Sequence, residues 1–258
     1  MSHSKLLNTL ILAALAVPSV ALAEEASPFT ANVGLTTDYL VRGISQTSGN
    51  PAIQGGIDYA HASGLYAGVW GSNVSWINDF GAIGSASMEL DTYAGFRNSF
   101  AEDFSYDVGF IRYNYLGSYT PAAGTVKADT DEIYGALGYK WFTAKYSYGL
   151  GKFLTVPGAQ GTNYLELNAS VPMGETGITL GAHYGKQTYK GTAADALALA
   201  GMSPTYSDYK LSAAKEFGGY TVTLAYSDTN SPNPGFYTTL AGKDLARGTA
   251  VLSLTHAF

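Results

Sequence analysis

The sequence predicts an all-β protein: a transmembrane antiparallel β-barrel of about twelve strands, with short periplasmic turns and longer extracellular loops. Three observations predict it. Apolar and polar residues alternate with period two in segment after segment, as in Tyr220, Val222, Leu224 and Tyr226 against Thr221, Thr223, Ala225 and Ser227. The composition combines 20 Tyr, 11 Phe and 31 Gly with only 13% charged residues, against the usual ~25%. Links between the alternating segments are short and long by turns, the asymmetry of bacterial outer-membrane barrels.

At the N-terminus, Lys5 precedes an apolar run from Leu10 to Val17 and then Ala21-Leu22-Ala23 before Glu24, the pattern of a secretory signal cleaved after residue 23. A spanning helix fits less well, because Leu10 to Leu22 is short, holds Pro18 and lacks a positive stop-transfer flank. Residues 24–258 are expected to form a single barrel domain. Without Lys5 the mature chain has 13 basic against 20 acidic residues, a formal charge of −7. That balance lacks the clustered Lys and Arg that a phosphate backbone requires, so nucleic acid is not an expected partner. There is no Cys, which removes thiol, haem-thiolate and Cys-zinc chemistry. No metal or organic cofactor is expected, and a closed strand ladder takes the stabilising place of disulfides.

Period two places strands near 29–47, 51–62, 64–75, 86–98, 103–117, 128–141, 143–152, 162–172, 176–190, 206–217, 219–229 and 246–258. Most reach the ~9 to 11 residues that a tilted strand needs to cross the hydrocarbon core. Tight links at 62–64, 98–102, 142, 172–175 and 218 alternate with longer ones at 76–85, 117–127, 152–161, 191–205 and 229–245. Only the first outer link, Ser48 to Asn50, is brief.

The split between faces distinguishes a membrane barrel from a soluble one. Large apolar side chains share one face while charges and Gly share the other, whereas a soluble barrel puts its charges outside. Tyr59, Tyr66, Tyr139, Tyr184, Tyr209, Tyr220 and Tyr226 lie near strand ends, where an amphipathic ring suits the headgroup level. The last strand places Ala250, Leu252, Leu254, His256 and Phe258 on one face. Leu252, Leu254 and Phe258 resemble the C-terminal signal read by the barrel-assembly machinery of Gram-negative bacteria, with His256 a departure from it.

The polar face predicts a lumen lined by Asp38, Arg42, Asp58, Glu89, Asp91, Arg97, Asp107, Lys140, Lys145, Glu166, His183, Lys210 and Glu216. Seven acids against five bases imply weak, mixed ion selectivity. Arg112 is a misfit, since it shares parity with Phe104, Tyr106, Val108 and Phe110; a bulge after Phe110 that turns Ile111, Tyr113 and Tyr115 outward would resolve it. His183 is the single lumenal His, and a general base needs a nucleophile and an orienting partner. No nucleophile elbow, zinc helix, Walker loop or dinucleotide fingerprint occurs in the mature chain. Thr192 to Gly201 reads as a short helix with Thr192 as N-cap, which would constrict the pore if folded inward and form an ordinary loop cap if folded outward, the second being the preferred reading. Tyr237 to Arg247 reads as a second helical turn, with Lys243 and Arg247 at the mouth.

The stretches Asp38-Tyr39-Leu40-Val41-Arg42-Gly43-Ile44-Ser45-Gln46-Thr47, Pro51 to His61 and Gly64 to Val74 resemble the TorF family of proteobacterial porins, densely over the first three strands and loosely beyond. The resemblance implies an outer-membrane channel and assigns no catalytic residue. A porin for passive diffusion of small hydrophilic solutes is therefore expected, not an enzyme, located in the outer membrane of a Gram-negative bacterium. Its expected partners are outer-membrane lipids, the barrel-assembly machinery and small solutes. Two alternatives stay open: a plugged or narrow structural or adhesive barrel, and a barrel-embedded lipid hydrolase. Four Arg in the mature chain are few for a channel that takes acidic oligosaccharides.

Overall fold

Backbone that crosses an apolar medium must pair every N–H and C=O internally, which a strand achieves only with a neighbour on both sides. In the computed structural model, which describes residues 27–258, twelve strands meet that condition by closing on themselves. The expected signal peptide lies outside the described residues. In chain order the strands are β1 (Phe29–Thr36), β2 (Ala52–Ala60), β3 (Leu65–Asn73), β4 (Met88–Phe100), β5 (Phe104–Leu116), β6 (Thr130–Tyr139), β7 (Phe142–Gly149), β8 (Asn163–Pro172), β9 (Ile178–Thr188), β10 (Tyr206–Phe217), β11 (Tyr220–Thr229) and β12 (Thr249–Ala257). Each pairs antiparallel with the next, and β1 pairs with β12, with Val33 opposite His256 and Leu35 opposite Leu254. Phe258 N–H donates to Ala31 O at 2.8 Å and carries the seam past the last strand.

The expected barrel is present, with one substantial change of boundary. The chain leaves the wall after Thr36, not after Thr47. Arg42 (φ 50°) and Gly43 (φ 79°) adopt the left-handed region, so the chain doubles back and Leu40–Val41 pairs with Ile44–Ser45 in a small hairpin. The first outer link is thus residues 37–51, and all six links at that end are long. The other end has five links, of which 140–141 and 218–219 are two residues each.

The outward face is apolar. Leu137, Leu211 and Leu224 are each about three-fifths exposed. At the short-turn end, aromatic rings form a rim: Phe29 meets Tyr59 at 5.1 Å, Phe104 meets Tyr139 at 4.6 Å, and His256 stacks on Tyr220 at 4.5 Å. Tyr184, Tyr209 and Tyr226 also point outward. Tyr66 does not; it is buried in the bore, because it alternates in step with the inward Gly68 and Trp70, where its hydroxyl finds Asp107.

Arg112 faces outward, and the β5 ladder runs unbroken from Phe104 to Leu116. The expected bulge is absent, and Tyr113 and Tyr115 point inward. A cross-strand ion pair replaces it: Asp131 lies directly opposite on β6, and both carboxylate oxygens accept from Arg112 Nη1 at 2.9 Å. The helix α1 (Trp76–Asp79) tucks Trp76 and Ile77 inward in the second long link. In the fifth, α2 (Thr192–Leu199) caps the rim, with Gly191 rather than Thr192 at its N-cap and Leu199 exposed. The expected helical turn over 237–247 is instead a 3-10 turn at Pro234–Tyr237 followed by a bridge from Thr238 to Asp244.

Inside the wall, tyrosines lie over glycines of the adjacent strand. A Cβ added at Gly68 would sit 2.5 Å from the ring of Tyr93, and one added at Gly95 or Gly109 would sit 2.6 Å from the ring of Tyr66 or Tyr134. Gly185 stands in the same relation to Tyr164. The absent side chain makes room for a flat ring, which fixes register and thickens the wall. Gly95→Leu is therefore expected to displace Tyr66 and cost about 1 to 3 kcal/mol, read as a lower urea midpoint for the barrel refolded in vesicles.

Candidate functional site

Inward alternation brings the charged and His side chains of eight strands and one loop into a single bore. The 37–51 loop enters it from the long-loop end. Asp38 organises the loop: its Oδ1 accepts from Ser45 Oγ at 2.6 Å and from Thr47 Oγ1 at 2.9 Å. Neighbouring links clamp it, with Ser45 N–H donating to Leu245 O at 2.9 Å, Ser75 N–H to Gln46 O at 2.8 Å, and Ser48 Oγ to Asp79 Oδ2 at 2.5 Å. Lys243 Nζ donates to Ser48 O, so this residue secures the loop. Burial pushes the Tyr237 hydroxyl well above its usual pKa in the same cap.

At the hairpin tip, Arg42 reaches across the bore to the opposite wall. Its guanidinium grips Glu132 of β6 with two bonds, 3.1 and 2.7 Å, and donates to Gln187 Oε1 of β9 at 2.7 Å. It also lies over the Tyr164 ring of β8, 4.4 Å from the centroid. Planar bidentate geometry of this kind is particular to Arg. Tyr39, beside it, donates to Glu89 Oε1 at 2.9 Å.

Further along the bore, Asp107 accepts from Tyr66 at 2.7 Å, and Tyr66 shares a second hydrogen bond with Tyr134. Arg97 lies over Tyr66 and Lys145 over Tyr134, at 4.8 and 4.3 Å from the ring centroids. Asp58 accepts from Tyr93 at 2.6 Å. His183 contacts Asn168 at 2.7 Å, Asp208 at 3.0 Å and the Tyr164 hydroxyl at 2.9 Å, with Glu166 at 3.7 Å. Among the described residues, no group of three or more His, Cys, Asp or Glu side chains is arranged to hold a metal ion.

The residues expected at the lumen thus fall in three places. Asp58, Glu89, Asp91, Arg97, Asp107, Lys145, Glu166, His183, Lys210 and Glu216 are on inward strand positions. Asp38 and Arg42 belong to the loop that crosses the bore. Lys140 is not in the lumen: β6 ends at Tyr139, and Lys140 sits in the two-residue turn, 3.4 Å from Asp103. That carboxylate raises its pKa. Sequence reasoning missed Glu132 and Asp208, both nearly fully buried in the bore. Asp208 shares parity with Lys210, and Glu132 with the inward Tyr134, so period two contained the signal for both. With these two added and Lys140 removed, nine acids face four bases in and across the bore.

A family model matches residues 22–258, that of a bacterial protein of unknown function, Gcw_chp. The chain belongs to this family. No curated protein sequence matches this Gcw_chp member. Among solved structures it is similar to the KdgM porin, with a TM-score of 0.52 and 9% identity over 89% of this chain and 99% of that one. A second KdgM structure, in complex with disordered oligogalacturonate, has a TM-score of 0.50 at 8% identity, covering 89% and 98% of the two chains. The NanC porin gives the same values. At such identity the likeness is one of fold: a closed barrel of the same size.

Removing Arg42 leaves Glu132 buried and unpaired. Arg42→Ala is expected to destabilise the protein by about 3 to 5 kcal/mol, and Arg42→Met with Glu132→Met to recover most of that loss. Denaturant unfolding measures both, and limited proteolysis within 37–51 should be faster in Arg42→Ala alone.

Proposed function

We propose that this Gcw_chp member is an outer-membrane channel of the TorF porin type, through which small hydrophilic solutes diffuse passively. The observation that carries the reading is the closed wall itself, apolar outside and ionisable inside, because buried charge on this scale is retained where water and solute pass. Long loops then face the exterior and short turns the periplasm, with outer-membrane lipids around the aromatic rim. The nine-to-four excess of acids favours cations, a firmer preference than the mixed lumen expected from sequence. It also disfavours a polyanion such as the oligogalacturonate that accompanies KdgM.

A second reading, a plugged structural barrel, is favoured by one observation: the 37–51 loop crosses the bore and is bonded to β6 and β9 at its tip. A lipid hydrolase has less support, since the hydrogen-bond partners of His183 are Asn168, Asp208 and Tyr164 and include no serine.

Single-channel recording of refolded protein separates the two readings. Discrete steps with a cation-signed reversal potential in a KCl gradient are expected, and larger steps for the Arg42→Met, Glu132→Met pair, whose loop is no longer held across the bore by charge. Absence of steps in both proteins would favour the plugged barrel. Insertion is assigned to the barrel-assembly machinery reading Leu252, Leu254 and Phe258. Phe258→Ala is expected to lower the amount found in outer-membrane fractions while leaving the conductance of inserted molecules unchanged.

A further inference from the structure

A cavity of about 220 Å³ lies at the outer end of the bore, between the 37–51 loop, α1, residues 153–156 and 236–237, and the tops of β4, β5 and β6. It has room for a small solute and not for a polymer. Aromatic side chains make up much of its wall, among them Trp76, Tyr113, Tyr115, Phe153 and Phe236. Arg42 also lines it but is occupied by Glu132 and Gln187.

Two polar atoms in this wall are unpartnered. Trp76 is 7% exposed and Glu89 0%, yet Trp76 Nε1 and Glu89 Oε2 have no hydrogen-bond partner among the described residues. The other Glu89 oxygen accepts from Tyr39 at 2.9 Å, and the Tyr115 hydroxyl and the Asp91 carboxyl are the neighbouring polar groups that a ligand on Glu89 would join or displace. Asp91, one inward step further along β4, likewise has an oxygen without a partner. Buried donors and acceptors are costly to leave unmade, and a small apolar cavity with a few convergent polar groups is the usual form of a ligand site.

We infer that this cavity binds a small organic cation: a solute with an aromatic or apolar body, its ammonium on Glu89 and a hydrogen-bond acceptor on Trp76 Nε1. Glu89 lines the cavity and supplies the carboxyl group, whose ionised form a bound ammonium favours; Asp91 lies one inward step behind it. Tyr113, Tyr115 and Trp76 supply ring faces that attract a cation through their quadrupoles. An anion of the same shape would meet the Glu89 carboxyl without a compensating positive charge, and Arg42 has no free face to offer it. The inference rests on the channel reading only for the route by which the solute arrives.

The test uses refolded full-length barrel in detergent, titrated with tyramine and, separately, with 3-(4-hydroxyphenyl)propanoate, its anionic counterpart. Calorimetry and intrinsic tryptophan fluorescence should show saturable tyramine binding and at least tenfold weaker propanoate binding, on the order expected for loss of a charge-assisted contact. Glu89→Gln should weaken tyramine by about tenfold or more, and Trp76→Phe, which keeps a ring and removes the donor, by about three- to tenfold. Equal binding of both probes, no saturable binding of tyramine, or unchanged affinity in the variants would overturn the inference. If Glu89→Gln does not refold, Trp76→Phe and the comparison of the two probes decide it. Channel activity without tyramine binding would sink this inference alone; tyramine binding by a barrel that never conducts would sink the channel reading alone.

Discussion

The pairing of β1 with β12 is the constraint from which the other features follow. An open twelve-stranded sheet would leave two edges of unpaired N–H and C=O groups, and in an apolar surrounding each is worth several kcal/mol. The seam from Ala31–Phe258 to Thr36–Ser253 removes both edges. Once the sheet is closed, every residue has only two directions. Alternation becomes compulsory, apolar side chains take most of the outside, and most ionisable groups are committed to the bore, Arg112 being held outside only by its pairing with Asp131.

A bore of this width cannot stay empty of side chains, nor can it hold large ones on every strand. The tyrosine-over-glycine pairs settle that conflict along β3 to β6 and again at Tyr164 and Gly185. The hydroxyls of Tyr93, Tyr66 and Tyr164 thereby reach the carboxylates of Asp58, Asp107 and Asp208, and that of Tyr134 reaches the Tyr66 hydroxyl. The wall of β11, β12 and β1 contains small inward residues instead, such as Ala225, Ser227, Ser253 and Gly34. The bore is therefore lopsided, with a wall of charge and tyrosine facing one of hydroxyls and small groups.

Into this space the 37–51 loop brings the one guanidinium that bonds the far wall. An ion pair as buried as Arg42 with Glu132 contributes little net stability over a packed apolar pair, because both groups lose their hydration. What it does supply is position: two parallel bonds, a third to Gln187 and a ring beneath leave the hairpin tip a single place to rest. With the loop held there, Trp76 and Glu89 come to line one cavity, and the excess of carboxylate over base sets the sign of its field.

The sequence by itself determined the strand count, the facing of nearly every strand and the alternation of short and long links, because each is a local consequence of period two and of Gly-bearing turns. Ten of the inward ionisable residues followed from parity alone, and Asp208 was readable beside Lys210. Lys140 was misplaced because a strand and a two-residue turn differ by one position, which parity cannot resolve. Arg112 looked wrong in isolation, since its partner Asp131 is named only by the register of the next strand. The 37–51 loop was hidden most completely: Asp38, Leu40 and Arg42 alternate as a strand would, and Arg42-Gly43 was not read as a turn. Only the tertiary structure decided that this segment leaves the wall and fills the bore. That choice depends on Glu132, Gln187 and Leu245, which lie 90, 145 and about 200 residues further on and are brought to it only when the ladder closes.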